Sequence, residues 1–461
     1  MEQKVSFDAD LIRRYDYAGP RYTSYPTAVQ FHEGFTEAEY RTHALATNDS
    51  GRPLSLYFHI PFCARLCFYC ACNKVVTKNR AHALPYLQDL HREIAMQGEL
   101  FDNDRRVDQL HWGGGTPTFL SHEQMTELMQ VTARHFNLRG DDTGEYSIEV
   151  DPREADAETI ALLRGIGFNR ISLGVQDLEE RVQRAVNRLQ PEEQTLAIMD
   201  AARAHGFKSI NTDLIYGLPF QSVESFARTL DRVIEFGPDR LSVFNYAHMP
   251  HLFKPQRRII ETDLPSPAEK LEILQLTIER LTGAGYVYIG MDHFARPDDE
   301  LARAQQEGRL YRNFQGYSTH AGCDLVAMGI TSIGSVGITY AQNVKTLEAY
   351  HERIDSGHLP VYRGVVLSAD DVLRRNVITD LICHFYLDIH VIEEKYQIAF
   401  NDYFSSVIGQ LEAMQDDGLL TVDAQAIRVL PAGRLLIRNI CMAFDSYLQG
   451  RPEKKAFSRV I

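Results

Sequence analysis

The run Ser55-Leu-Tyr-Phe-His-Ile-Pro-Phe-Cys-Ala-Arg-Leu-Cys-Phe-Tyr-Cys-Ala-Cys72 begins as an apolar, aromatic strand and ends in a cysteine cluster. Three of the chain's seven cysteines, Cys63, Cys67 and Cys70, fall within eight residues, in C-x3-C-x2-C spacing. Zinc or an iron–sulfur cluster ordinarily takes four ligands, so three clustered thiolates predict a metal site with one position left free for chemistry. Cys72 is the complication, because counting it would complete a four-cysteine zinc site, although the spacings are short for structural zinc. A disulfide needs an oxidising compartment, which nothing in the sequence supports. Cys323, Cys383 and Cys441 read as small buried hydrophobes.

Working outward, residue 54 starts a rhythm of short β-branched or aromatic runs followed by amphipathic stretches. The runs cover 54–60, 107–112, 146–150, 169–173, 209–214 and 240–244; the helical stretches cover 84–100, 123–135, 157–164, 192–205 and 223–236, with Gly206 as a stop for the fourth. Strands alternating with helices imply parallel pairing through right-handed crossovers, in an open or closed β/α barrel or a doubly wound sheet. Barrels of this kind place chemistry at the carboxyl ends of the strands. The unusual residues sit there: the cysteines after the first run, Gly113-Gly-Gly-Thr-Pro117 after the second, Glu149 in the third, Gln176 after the fourth, Asp213 in the fifth and Ala247 after the sixth.

Beyond residue 250 the rhythm loosens into a helix over 271–281 and a strand over 286–289. Helical periodicity over 372–385 and 403–414 is followed by 418–422 and 426–430, which resemble the strand pair of a winged-helix unit. Boundaries are expected at 1–50 for an N-terminal arm that covers the active site, 51–290 for the barrel, 291–368 for its extension and 369–461 for a mostly helical C-terminal domain. In the arm, Gly19-Pro-Arg-Tyr-Thr-Ser-Tyr-Pro26 excludes a helix, and docking on the rest orders it.

The 461 residues carry 48 lysines and arginines against 62 aspartates and glutamates, a formal charge of -14. This balance argues against general affinity for nucleic acid or anionic membrane, so an anionic substrate needs a local basic patch. The N-terminus has no apolar signal region. The uncharged stretch 325–344 holds Gly329, Gly334 and Gly337 and reads as turns and short buried strands, not a bilayer helix. A cytoplasmic protein with reduced thiols is expected.

The individual candidates have bland readings too. The glycine triplet is alone a tight turn, though it lets main-chain amides approach a ligand. In Ser147-Ile-Glu-Val-Asp-Pro152 alternation puts Ile148 and Val150 on one face and Ser147, Glu149 and Asp151 on the other, which in a helix-covered sheet demands donors for the carboxylates. The same holds for Asp213. Arg188 reads as a surface helix arginine unless an anion lies nearby, and His59 as either a hydrogen-bonded core histidine or a neighbour of the metal ligands.

Taken together these motifs resemble the radical S-adenosylmethionine superfamily. Within it the chain is similar over nearly its whole length to the oxygen-independent coproporphyrinogen III oxidases, also called coproporphyrinogen dehydrogenases. The similarity rests on Gly19-Pro-Arg-Tyr-Thr-Ser-Tyr-Pro-Thr27, Tyr57-Phe-His-Ile-Pro-Phe-Cys63 running into Cys70-Ala-Cys72, His111-Trp-Gly-Gly-Gly-Thr-Pro117, Ser147-Ile-Glu-Val-Asp-Pro-Arg153 and Arg312-Asn-Phe-Gln-Gly-Tyr317. The resemblance implies an α/β fold, a partial (β/α)6 TIM-like barrel of the radical SAM type with the arm and the winged-helix-like domain added. It implies a [4Fe-4S] cluster on Cys63, Cys67 and Cys70, with Cys72 not a ligand. It implies two S-adenosylmethionines, one contacted by Tyr57, Gly114, Glu149 and Ile333, the other by Tyr69, Gly115, Thr116, Gln176, Arg188, Asp213 and Ala247. At Tyr69 the family pattern has phenylalanine; stacking survives, and the added hydroxyl needs a partner.

The implied reaction turns two propionates of coproporphyrinogen III into vinyl groups, giving protoporphyrinogen IX through a 5′-deoxyadenosyl radical, in haem biosynthesis. Arg21 and Gln315 are candidates on the substrate side, and no residue is assigned the catalytic step. The implied partners are the tetrapyrrole, an electron donor and an electron acceptor, with the protein a monomer that binds neither nucleic acid nor membrane. A haem-binding chaperone of the same fold is the competing reading, although such relatives lack the N-terminal arm and the Cys-x-Cys ending. A structural zinc protein is the third, and it leaves the glycine, glutamate and glutamine placements unexplained.

Overall fold

In the computed structural model, which describes residues 5–448, the 54–60 run is strand β1 (Leu54–Ile60), buried throughout except at the half-buried Tyr57. Burial on both faces is what a parallel strand covered by helices requires. The rhythm continues as β2 (Arg106–Gly114), β3 (Glu145–Val150), β4 (Arg170–Gln176), β5 (Ser209–Tyr216) and β6 (Arg240–Asn245), each paired in parallel with the one before. The crossovers carry α1 (Ala83–Gly98), α2 (His122–His135), α3 (Ala157–Gly165), α4 (Glu192–Ala204) and α5 (Val223–Phe236). Their limits are written locally. Ser121 and Gln124 form a capping box before α2, Ser222 caps α5, and Gly237 ends α5 in the left-handed conformation.

The six β/α steps agree with the partial barrel. In addition, β7 (Asp324–Met328) adds a seventh parallel strand beside β1, and antiparallel β8 (Ile333–Val336), β9 (Thr339–Asn343) and β10 (Val361–Val366) extend the sheet. The 325–344 stretch is thus short buried strands, and no helix among the described residues is long and apolar enough to cross a membrane. Its apolar residues announce strands but not their neighbours, so the sequence hid the pairing of β7 with β1.

Strands β3, β4 and β5 alternate. Ser147 and Glu149, Ser172, Gly174 and Gln176, and Asn211, Asp213 and Ile215 are half-buried, while the residues between them are buried. One face of the sheet therefore packs on helices and the other carries polar groups.

The chain divides into two compact units. One takes Phe31–Pro265 with Gly322–Val366 and contains β1–β10; the other takes the chain up to Gln30, Ser266–Ala321 and the chain from Leu367. The divisions fall at 30, 265, 321 and 366, against the expected 50, 290 and 368. The arm contributes to both units; residues 19–26 hold no helix, as their prolines require, and Ala9–Tyr15 and Glu37–Ala46 on either side are helices, the second held by a Thr36–Glu39 capping box.

In the second unit the arm docks on the C-terminal segment. The Asn439 side chain donates to the Tyr15 carbonyl (2.8 Å), the Tyr22 hydroxyl to Asp445 (2.9 Å), and Arg438 to the carbonyls of Gly19 and Pro20. Two hairpins, Val287–Gly290 with His293–Ala295 and Tyr311–Asn313 with Gly316–Ser318, accompany helix Pro267–Gly283. The 372–385 helix spans Ala369–His384, whereas 403–414 breaks at Phe404 into Phe400–Tyr403 and Ser405–Asp416. The expected strand pair, Leu420–Val422 and Ala426–Val429, gains a third member, Tyr386–Asp388.

Candidate metal and cofactor site

The cysteine loop leaves the carboxyl end of β1 and is fastened on several sides. Phe62–Cys63 pairs in parallel with Val75–Val76, and the amides of Val75 and Thr77 donate to the carbonyls of Pro61 (2.7 Å) and Cys63 (3.0 Å). From the other side the amides of Gly115 and Thr116 donate to the carbonyls of Ile60 and Phe62, both at 2.8 Å. Further along, Phe68 N–H meets the Val186 carbonyl (2.9 Å), Asn187 holds the Leu66 carbonyl (2.7 Å) and Gln256 the Tyr69 carbonyl (3.0 Å). Phe68 and Tyr69 pack on the apolar cluster of Val182, Val186, Leu218, Tyr246 and Ile259.

These contacts explain the glycine triplet. A Cβ on Gly115 would lie 2.7 Å from the Pro61 and Phe62 backbone, and Gly114, at φ +119°, is 2.9 Å from His59 where a Cβ would stand. Only glycine permits both. Gly114 also directs its amide to Glu149 Oε2 (3.1 Å), so one main-chain donor serves the carboxylate that alternation placed on the polar face.

Around the thiols the electrostatics are positive. Arg153 Nη2 and Arg188 Nη1 each lie 3.6 Å from Cys67 Sγ, and Thr116 Oγ1 lies 3.6 Å from Cys63 Sγ. Asp151 sits between the two guanidinium groups, 2.6 Å from Arg153 and 3.0 Å from Arg188. Burial works to raise the Asp151 carboxyl, but Arg188 and then Arg153 outweigh it and hold it at about 2. The Cys72 thiol donates toward Cys70 and, with Lys74, holds the Cys70 thiol below its ordinary value, while burial pushes Cys63 up to about 11.

One carboxylate facing two guanidinium groups leaves a positive charge beside Cys67. Arg153 Nη1 and Arg188 Nε are buried without hydrogen-bond partners among the described residues. A thiolate-ligated, anionic iron–sulfur cluster supplies acceptors for such donors, so the residues fit that group. Among the described residues no three His, Cys, Asp or Glu side chains are arranged to hold a single metal ion.

The strand ends converge on the same face. Tyr57 stacks on His111, with rings 5.9 Å apart and tilted by 11°, and its hydroxyl donates to His59 Nδ1 (3.2 Å); His59 Nε2 in turn meets the Asn73 carbonyl (3.0 Å). His59 is therefore a buried, hydrogen-bonded histidine next to the cysteine loop, and burial lowers its pKa. His111 lies between Ser147 Oγ (2.5 Å) and Glu149 Oε1 (3.5 Å). Burial acts to raise the Glu149 carboxyl, yet His111 and the Gly114 amide keep it below the usual carboxylate range while 46% of its side chain stays accessible. An ionised, accessible carboxylate deep in the protein suits a cationic ligand group.

Asp213 behaves differently. Burial raises it to about 6, opposed by hydrogen bonds from Ser172 (2.9 Å) and Asn211 (2.8 Å). Gln176 ends β4 at φ +70°, the Ala247 carbonyl accepts from Gln256 (3.3 Å), and Ile333 opens β8, half-buried. The Tyr69 hydroxyl has no hydrogen-bond partner among the described residues.

Arg188 corrects its bland reading: it is buried, its Nη2 donates to the Gly174 carbonyl (2.6 Å), and it belongs to the cysteine loop's surroundings. Arg21 and Gln315 lie in the other compact unit, where Arg21 pairs with Asp292 at 2.8 Å. Sequence reasoning missed the roles of Asp151, Arg153, Gly174 and His111. The Asp-Pro-Arg ending of the β3 motif was the available signal for the first two.

Comparisons with known proteins place these features in a family context. Residues 57–233 match the radical SAM superfamily model, and residues 367–436 match the HemN C-terminal domain. The chain is 55% identical to the oxygen-independent coproporphyrinogen III oxidase of Pseudomonas aeruginosa across 100% of both chains. It is 46% identical to that of Synechocystis, covering 99% of this chain and 98% of that one. The solved structure of coproporphyrinogen III oxidase from Escherichia coli, described as a radical SAM enzyme, superposes with a TM-score of 0.92 at 51% identity, covering 96% of this chain and 100% of that one.

Proposed function

Because the chain belongs to the family of oxygen-independent coproporphyrinogen III oxidases, which are radical SAM enzymes, we propose that Cys63, Cys67 and Cys70 hold a [4Fe-4S] cluster in the oxidative decarboxylation of coproporphyrinogen III. When bound, the reduced cluster and S-adenosylmethionine supply a hydrogen-abstracting 5′-deoxyadenosyl radical. With that group bound, the propionate β-carbon would lose a hydrogen atom. Loss of carbon dioxide and of one electron to an acceptor then leaves a vinyl group, and a second propionate repeats the sequence to give protoporphyrinogen IX.

The chain's own residues bind and orient. Tyr57, Gly114, Glu149 and Ile333 surround the S-adenosylmethionine nearest the cluster, with the ionised Glu149 suited to its ammonium group. Tyr69, Gly115, Thr116, Gln176, Arg188, Asp213 and Ala247 form the place of a second one, where Arg188 suits a carboxylate. Arg21 and Gln315 act on the substrate side. An electron donor reduces the cluster, and the enzyme works as a cytoplasmic monomer.

The observation that carries the reading is the pair of buried guanidinium groups, Arg153 and Arg188, facing Cys67 with donors still open. The test is anaerobic turnover of reconstituted protein with coproporphyrinogen III, S-adenosylmethionine, a reductant and an electron acceptor. Vinyl products lost in Cys63→Ser support it; a reduced cluster that binds haem and makes no product overturns it in favour of a chaperone.

A further inference from the structure

Arg312 is 9% exposed, and its side chain makes no hydrogen bond or ion pair among the described residues. Its Nε and Nη1 are both buried without a partner, and its guanidinium lies over the Tyr317 ring at 4.9 Å. An arginine does not shed its proton, so an unpaired one at this depth is a large unfavourable term unless an anion arrives.

The surroundings, all within one compact unit, are built as a receptor and not as a core. Arg312 stands on the first strand of the Tyr311–Asn313 and Gly316–Ser318 hairpin. At its turn the Gln315 amide is tied to Asn313 Oδ1 (2.8 Å), while the Gln315 side-chain Nε2 is a further buried donor without a partner among the described residues. His293, 5.3 Å from Tyr317 and edge-on to it, is lowered to about 4 by burial and next by the charge of Arg312. Arg438 is committed to the Gly19 and Pro20 carbonyls, and burial, then Arg21, then Arg312 push it down against the pull of Asp292. Arg21, Arg312 and Arg438 thus share a region with Asp292, which Arg21 already occupies.

We infer that Arg312, with Gln315 at the turn of the same hairpin, seats a propionate carboxylate of the tetrapyrrole. This rests on the oxidase reading. A substrate with four carboxylates presents such groups beyond the one that reacts, and a planar guanidinium with two open donors, on the same hairpin as an open amide, suits bidentate capture of one. Arg21, paired with Asp292, is the poorer candidate for that contact.

The test is fluorescence titration of the reconstituted holoenzyme with coproporphyrin III, the stable oxidised form of the substrate, and with its tetramethyl ester. The wild type is expected to prefer the free acid. Arg312→Met should weaken acid binding by roughly ten- to a hundredfold while leaving the ester unchanged, with Arg312→Lys in between, and its melting temperature should not fall, because no hydrogen bond or ion pair among the described residues is lost and the Met side chain still packs on Tyr317. Undiminished acid affinity in Arg312→Met overturns the inference, and so does equal weakening of acid and ester with a lowered melting temperature, which marks a structural arginine. Product formation by the wild type is followed in the same preparation: its absence defeats the oxidase reading, whereas the acid–ester comparison judges Arg312 by binding alone.

Discussion

Two buried arginines, one in each compact unit, are treated in opposite ways. Arg105 donates to Asp324, to the Arg52 carbonyl, to Thr47 Oγ1 and to Asn48 Oδ1, and Asp324 also receives the Gly337 amide. Every strong group there is matched from within the chain, joining the start of β2 to β7. Arg312 is almost as deeply buried and has no hydrogen-bond or ion-pair partner among the described residues. Saturation identifies charge used to build the fold, and unsatisfied charge identifies a place for something that is not protein. Arg153 and Arg188 fall between the two, with Asp151 as partner and one donor each left open beside Cys67.

The sharpest way to break this contrast is to remove the saturated arginine. Arg105→Met strands Asp324 in the interior and should cost about 3–5 kcal/mol in denaturant unfolding; a loss no larger than that of Arg312→Met would erase the distinction. A saturated carboxylate provides the next test. Glu93 is fully buried, accepts from Tyr350, the Gly329 amide and Asn343, and is raised by burial to about 7. Its folded pKa exceeds the unfolded ~4.3, so its contribution is complete at acid pH, declines as pH rises from about 4 to 7, and amounts to about 3 kcal/mol. Unfolding measured across that window should show the wild type losing stability relative to Glu93→Gln as pH rises; parallel curves would refute it.

A smaller change probes the intermediate case. A Cβ at Gly174 would stand 2.8 Å from Arg188 Nη2 and Gln176 Nε2. Gly174→Ala should therefore displace Arg188, costing about 1–3 kcal/mol in stability and reducing the iron and sulfide retained after reconstitution; unaltered cluster content would detach Arg188 from Cys67. The smallest effect is expected at Tyr69, whose hydroxyl is unmatched among the described residues. Tyr69→Phe should shift stability by less than about 0.5 kcal/mol, and a clear loss on thermal melting would reveal a partner for that oxygen.

The sequence discloses what local pattern encodes. The C-x3-C-x2-C loop, the six β/α steps and the stop at Gly206 (φ +73°) each depend on neighbours in the chain. Alternation placed Ser147 and Glu149 on one face because period two is a property of the strand itself. What stayed hidden depends on distant pairing. Arg188 meets Asp151 across 37 residues, β7 reaches β1 from the far side of five crossovers, and strand Tyr386–Asp388 is separated from helix Ala369–His384 by one residue, too close behind its apolar periodicity to stand out. The arm helices were masked for another reason: they are short and polar, and capping at Asp8 and Thr36 marks their starts more clearly than any apolar stripe.

The fastening of the cysteine loop bears on how far the fold depends on metal. In a zinc finger the metal creates the fold, and stripping it unfolds the domain. Here the loop is clasped from one side by Val75 and Thr77 and from the other by the amides of Gly115 and Thr116, with Asn187 and Gln256 behind it. None of these bonds uses a thiol. The loop's backbone is therefore held by bonds that need no metal, and stripping iron and sulfide from the protein should leave its melting temperature nearly unchanged, in contrast to a zinc finger.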